Sequence, residues 1–260
     1  NDVILERFKQ ERERVENELS RGDLEVVVFG TGSSGKTSLI RALLQKIVGE
    51  TGPSMGTTLR SVAYRIRLKN LSRGIRIIDT PGILEGGKQG LLREKEALTK
   101  ASRADLMIVV IDSDLRESEF KIIKSLALVG KRLFLVLNKI DLRGIEEERH
   151  LLAKLRGQTK ELIQFEDVFA TTASPQTIPQ QGHKPIQPPP EIDELVKRLT
   201  KVLYEDGEEL LSDNILLQCR NLGQAGRNLL NSQRDQISRS LIERYCWISS
   251  GVVAITPLPG

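Results

Sequence analysis

The chain has 260 residues, of which 39% are hydrophobic and 28% charged, with a formal net charge of +4 and a sequence pI of about 9.1. That composition fits one large soluble domain, or one domain with an appendage. Two cysteines, Cys219 and Cys246, exclude a disulfide framework and a cysteine metal cage, and they fit reduced thiols in a reducing compartment. His150 and His183 lie far apart in polar, loop-like stretches and suit neither a catalytic base nor a metal ligand. Acidic residues are interspersed with the basic ones almost everywhere, so the mild positive balance reads as a mixed solvated surface before a nucleic-acid groove, with anionic lipid as a further alternative.

There is no signal-peptide pattern. The start at Asn1, without methionine, fits a fragment or a processed form. Residues 1–22 read as an amphipathic helix: Ile4, Phe8, Val15 and Leu19 can share one face among charged neighbours.

Residues 23–204 then alternate strands with helices. Short continuous apolar runs at 25–29, 75–78, 106–111, 133–137 and 168–170 read as strands covered on both faces. The stretch 62–68 alternates apolar residues with Tyr and Arg, as an antiparallel edge strand beside 75–78 would. Helical patterns fall at 36–48, 91–100, 117–129, 146–155 and 191–204. The expected fold is α/β, a doubly wound and mostly parallel sheet with one antiparallel edge strand, with ligands at the carboxyl ends of the strands. Residues 174–190 hold six of the ten prolines and read as a flexible loop inserted before the last helix of this domain.

Residues 205–246 read as a helical extension. Ile215, Leu222 and Leu229 recur every seven residues, while Gly223 and Gly226 predict a soft join between two helices. Residues 247–260 form an apolar segment too short to cross a bilayer by itself, which suits the start of a membrane region.

Gly30-Thr31-Gly32-Ser33-Ser34-Gly35-Lys36-Thr37 fits the phosphate-loop pattern G-x-x-x-x-G-K-[ST] at every fixed position, between a strand and a helix. Backbone amides and the helix N-terminus would cradle phosphates, with Ser38 continuing the cradle. Lys36 would reach the β- and γ-phosphates, and the Thr37 hydroxyl would bind Mg²⁺. This loop alone specifies only a nucleoside triphosphate.

Asp79-Thr80-Pro81-Gly82 follows a strand, which places Asp79 to hold the magnesium shell and Gly82 to offer its amide to the γ-phosphate. Release of that amide after hydrolysis would free the loop behind it. Asn138-Lys139-Ile140-Asp141 also follows a strand. The Asp141 carboxylate can accept from guanine N1–H and its 2-amino group, a donor pair that adenine lacks. Asn138 can bond the base and brace the phosphate loop, and the Lys139 stem can cover the ring. Thr171-Thr172-Ala173-Ser174 occupies the position of a base loop, where amides near Ala173 would meet guanine O6.

With these motifs in order, residues 24–204 resemble the Era and TrmE branch of the translation-factor-like GTPases. The tail and the C-terminal ending resemble bacterial Era-like proteins that continue into a hydrophobic membrane domain. The resemblance implies GTP/GDP and Mg²⁺ as ligands, with hydrolysis to GDP. It also implies that Thr58, with Thr57 in reserve, is the switch threonine closing onto Mg²⁺ and the γ-phosphate. Catalysis would then rest on Lys36, Thr58 and Gly82.

The chain departs from its relatives at two positions. Ras-type enzymes have a water-positioning glutamine where this chain has Ile83, so a slow intrinsic rate is expected. TrmE-type enzymes hold K⁺ through an asparagine where this chain has Ser33, a serine shared with dynamin-like proteins, so K⁺ is carried as an expectation. Arg60 and Arg93 flank the switches. The expected biology is a switch activated by G-domain dimerisation or by membrane contact through the C-terminal region, in the cytoplasm or at the cytoplasmic face of a membrane. An RNA or ribosome-assembly role of Era type and a nucleotide-gated scaffold are the alternatives. Nucleic acid is the less favoured partner: the tail offers no KH-type clamp between paired helices and no interleaving of aromatic with basic residues.

Overall fold

The structure is a computed structural model that describes residues 22–48, 62–68, 71, 73–80, 103–128, 130–179 and 185–255, with a few positions between 5 and 16. The residues expected in the switches, Thr57, Thr58, Gly82 and Ile83, the flanking Arg60 and Arg93, and the expected helix at 91–100 lie outside the described residues, as do His183 and the apolar positions expected on the N-terminal helix. The chain divides into two compact units, Gly22–Asn214 and Asn1–Arg21 with Ile215–Gly260.

The first unit is built on a six-stranded sheet. Its strands are β1 (Leu24–Gly30), β2 (Val62–Ile66), β3 (Ile75–Asp79), β4 (Leu106–Ile111), β5 (Arg132–Leu137) and β6 (Val168–Ala170). They lie in the order β2-β3-β1-β4-β5-β6. Only the β2–β3 pairing is antiparallel; the other four are parallel. The expected doubly wound sheet with its antiparallel edge strand is therefore present.

β1 explains the layering. It is buried along its whole length and apolar at every position but Glu25, as suits a central parallel strand. Leu24, Val26 and Val28 point into one core with α1 (Lys36–Val48) and α4 (Asp193–Glu205). Val27 and Phe29 point into the other, with α2 (Glu117–Leu128) and α3 (Ile145–Thr159). Successive strands are laid on opposite sides of β1, so a crevice opens at its carboxyl end, where ligands bind in such sheets.

At the other end of the sheet a buried polar cluster holds the first turns of α5 (Gly207–Ile255). Asn214 donates to Asp105 Oδ1 at 2.7 Å and to the Arg103 carbonyl at 2.6 Å. Lys131 Nζ donates to Asn214 Oδ1 at 2.6 Å and to the Ala104 carbonyl at 2.8 Å. The Glu25 amide donates to Asp105 Oδ2 at 2.7 Å. Burial pushes the Asp105 carboxyl up to about 6, against the lowering pull of those donors.

α5 corrects the expected soft join. It runs for 49 residues straight through Gly223 and Gly226. Each glycine costs a helix about 1 kcal/mol relative to alanine, too little to break a helix whose neighbouring positions include the good helix formers Leu222, Gln224, Ala225, Arg227, Leu229 and Leu230. His150 is exposed on α3, within the helix expected at 146–155. Among the described residues no helix is long and apolar enough to cross a membrane.

Candidate functional site

The phosphate loop leaves β1 at Gly30 and enters α1 at Lys36. Two of its glycines are required by space. A Cβ on Gly30 would collide with the Val110 carbonyl oxygen, and one on Gly35, at φ +86°, would collide with the Asn138 side-chain amide. Inside the loop the Ser34 hydroxyl donates to the Thr31 carbonyl at 2.9 Å. Lys36 is 4% exposed, and its Nζ donates to that same carbonyl at 2.6 Å. The ammonium is therefore folded back over the loop it would serve. Gly32 and Ser33 are exposed, whereas Ser34 is buried.

Thr37 Oγ1 donates to Asp79 Oδ2 at 2.7 Å. Asp79 ends β3 and is 1% exposed. The pairing places a hydroxyl and a carboxylate, both hard oxygen donors, beside the loop that would hold the phosphates. This donor set fits Mg²⁺, which takes one or two such ligands and completes its shell with water and phosphate oxygens. Among the described residues no group of three His, Cys, Asp or Glu side chains forms a metal cage. Thr80 follows, its hydroxyl donating to the Val28 carbonyl at 2.8 Å, which pins the chain just after β3 to the central strand.

Asn138 joins the two halves of the site. Its Nδ2 donates to the Ser34 carbonyl at 3.0 Å. Its Oδ1 accepts from the Ala173 amide at 3.0 Å and from Thr171 Oγ1 at 3.2 Å. The phosphate loop and the base loop are thus fastened through one buried side chain. The Ala173 amide, expected near guanine O6, is given to Asn138 here, while Thr172 is buried and Ser174 is exposed beside it.

Lys139 adopts a left-handed backbone, φ 62° and ψ 38°, the only positive φ among described non-glycine residues. Such a conformation costs about 1 kcal/mol or more for an L-residue and gathers at functional sites. It lets the Lys139 stem cross the phosphate loop, where Nζ donates to the Ser33 carbonyl and to Asp112 Oδ2 at 2.9 Å. Asp141 lies in the turn Ile140–Leu142, exposed, with one oxygen accepting from the Gln176 amide at 3.2 Å.

The sequence motifs are therefore linked by hydrogen bonds: Thr37 to Asp79, Asn138 and Lys139 to the phosphate loop, Ala173 to Asn138, and Asp141 to the Gln176 amide. Sequence reasoning missed Asp112 and Gln176. Asp112 could have been found as an acid directly after a strand on the ligand side of the sheet. Gln176 acts through its backbone amide, so its side chain carried no signal.

Residues 25–139 match the model of a family described as a 50S ribosome-binding GTPase. Over these residues the chain is similar to the Era/TrmE-like small GTPases. A GTPase Der from Streptococcus uberis is 29% identical over 170 residues, 63% of this chain and 37% of that protein. A tRNA modification GTPase MnmE from Thermoanaerobacter sp. is 32% identical over 137 residues, 50% of this chain and 28% of that one. The chain thus spans about a third of the length of these two relatives. Among solved structures, Era in complex with MgGDPNP and nucleotides 1506–1542 of 16S ribosomal RNA shares the fold, with a TM-score of 0.51 and 24% identity over 69% of this chain and 56% of that one. Residues 217–260 match a separate model, a domain of unknown function (DUF697). The family is one of GTP-binding, GTP-hydrolysing proteins, and the Era-like G domain here carries its phosphate and base loops in one connected site.

Proposed function

We propose that the chain is a GTP-hydrolysing molecular switch, dependent on Mg²⁺, that works at a membrane surface or as a pair of G domains. The observation that supports this reading is the Asn138 bridge: from three residues before the exposed Asp141, it fastens the phosphate loop to the base loop. Asp141 would accept from guanine N1–H and the 2-amino group, leaving adenine badly matched. Lys36 would exchange the Thr31 carbonyl for the β- and γ-phosphates. Thr37 and Asp79, with Thr58, would hold Mg²⁺, which when bound neutralises charge on the phosphate oxygens. The Gly82 amide would meet the γ-phosphate.

Ile83 can neither donate nor accept a hydrogen bond, so it cannot orient the attacking water. The missing group would come from a second G domain, or from a monovalent cation such as K⁺ near Ser33. The outer face of α5 supports a docking role for the tail: Leu216, Leu230, Ile237, Leu241 and Ile242 are 48–67% exposed. The first three are spaced by multiples of seven and so share a helix face.

Binding to ribosomal RNA is a second reading, favoured by the family's description and by the RNA bound to the Era neighbour. It is the weaker one. The only Gly-x-x-Gly of the tail, Gly223 to Gly226, lies inside the continuous α5 and not in a loop between helices.

The test is GTP turnover per molecule against protein concentration, in potassium and in sodium buffers, beside flotation on anionic vesicles. Turnover that rises with concentration, or flotation of the full chain, supports the reading. Absence of any GTP turnover across that range would leave a nucleotide-gated scaffold.

A further inference from the structure

The proline-rich segment 174–190 reads in sequence as a flexible spacer, but the structure ties its two limbs together. Thr172 and Glu191 exchange both backbone hydrogen bonds, at 3.1 and 3.0 Å, and so do Ile178 and Ile186, at 2.8 and 3.0 Å. Between these two rungs sits Gln187. Its Nε2 donates to the Pro175 carbonyl at 2.7 Å, and its Oε1 accepts from Thr177 Oγ1 at 2.7 Å. One side chain on the returning limb therefore grips the outgoing limb on either side of Gln176. The Gln176 amide then donates to Asp141 Oδ2.

The returning limb is stiff. Pro188, Pro189 and Pro190 have fixed φ angles, so their unfolded alternatives are few. They face Ser38, Arg41 and Gln45 of α1 across an open cavity of about 370 Å³ that also reaches Ala173 and Ser174 of the base loop. The insertion is thus a wall beside the base site, built where its hydrogen bonds touch the acidic group that would read the base.

An exposed aspartate rotates freely about its terminal torsion. To accept two parallel hydrogen bonds from a purine edge it must lie in the plane of the base. A fixed donor on one oxygen removes much of that freedom and still leaves acceptor sites on both oxygens. We propose that Gln187 is a positioning residue for base specificity. It holds the Pro175–Gln176 turn, and the Gln176 amide sets the plane of the Asp141 carboxylate for the guanine 2-amino and N1–H groups. This rests on the reading of Asp141 as the guanine acceptor. It assigns the insertion a role in recognising the purine, not only in bounding the site.

The experiment compares equilibrium binding of GDP and of inosine diphosphate, which lacks the 2-amino group, to the full chain at fixed Mg²⁺. The proteins are wild type, Gln187→Ala, Thr177→Val and Asp141→Asn. Gln187 and Thr177 are exposed, and far-UV circular dichroism checks each variant. In Gln187→Ala the preference for GDP over inosine diphosphate is expected to fall about three- to tenfold, the range of one neutral hydrogen bond such as Gln187 makes to the Pro175 carbonyl. Thr177→Val, which removes one of the two braces, is expected to fall by less. Equal losses for both nucleotides would make the insertion a simple wall, and no change would make Gln187 irrelevant; either result overturns the proposal. Asp141→Asn separates the two layers of argument. If it shifts preference toward xanthosine diphosphate while Gln187→Ala leaves the ratio alone, the base reading stands and the role of Gln187 falls. If it shifts nothing, the base reading falls and takes the role of Gln187 with it.

Discussion

Asn138 reaches across 104 positions of sequence to donate its side-chain amide to the Ser34 carbonyl, and in doing so makes the phosphate loop and the base loop one object. The same side chain accepts the Ala173 amide. Asn138→Ala removes three buried hydrogen bonds at once. The expected result is a loss of about 2–3 kcal/mol in stability and at least a tenfold weaker GDP affinity. Thermal unfolding and nucleotide titration of the same preparation check this. A stability loss with unchanged affinity would mean that the bridge supports the fold alone.

Gly35 packs against that same bridge. Its φ of +86° is strained for any side chain, and a Cβ would strike the Asn138 amide. Gly35→Ala is expected to destabilise by about 1–3 kcal/mol and to abolish measurable nucleotide binding. A folded variant with native GDP affinity would show that the loop can move away from Asn138 at little cost.

Lys36 rests on the Thr31 carbonyl, 2.6 Å away, so its ammonium has a partner before any phosphate arrives. Lys36→Ala is expected to lose tight GTP binding by about a hundredfold or more while keeping the circular dichroism spectrum of the fold. The measurement is competition of GTP against a fluorescent guanine nucleotide. Affinity within a few-fold of wild type would contradict the assignment of the phosphate loop.

Asp105 gives a pH prediction. Its carboxyl is pushed up to about 6 in the fold, from an ordinary value of 3.8, chiefly by burial. A raised value means that the fold prefers the protonated form. The favourable contribution is therefore complete below the ordinary value and is lost as pH rises through about 6. Asp105→Asn imitates the neutral acid. Its stability relative to wild type is expected to shift in the variant's favour by up to about 3 kcal/mol between roughly pH 4 and pH 7. A difference that stays flat across this window, measured by urea unfolding, would place the ionisation elsewhere.

The strands and the nucleotide motifs were legible because each carries its signal locally. Strands covered on both faces are continuous apolar runs, as are β4, β1 after Glu25 and β5 after Arg132. The loops at Gly30, Asp79 and Asn138 have fixed spacings that follow strand ends. The Asp105–Asn214 bond was not legible, since it joins residues 109 apart by an amide that could serve many purposes. The brace at Gln187 was hidden for a similar reason: glutamine among prolines looks like a spacer until the two limbs are seen paired. The continuity of α5 was obscured by Gly223 and Gly226, whose local cost is real but smaller than what their neighbours supply.

The central claim is that this G domain reads guanine through Asp141, beside a phosphate loop to which Asn138 fastens the base loop. The most direct test is the affinity of wild type and Asp141→Asn for GTP and for xanthosine triphosphate, whose 2-oxo group in place of the amine suits an amide donor. Wild type is expected to prefer GTP, and the variant to reverse that preference by about two orders of magnitude or more in the ratio, as expected when a buried polar match becomes a mismatch. A variant that keeps the wild-type preference for GTP would contradict the account.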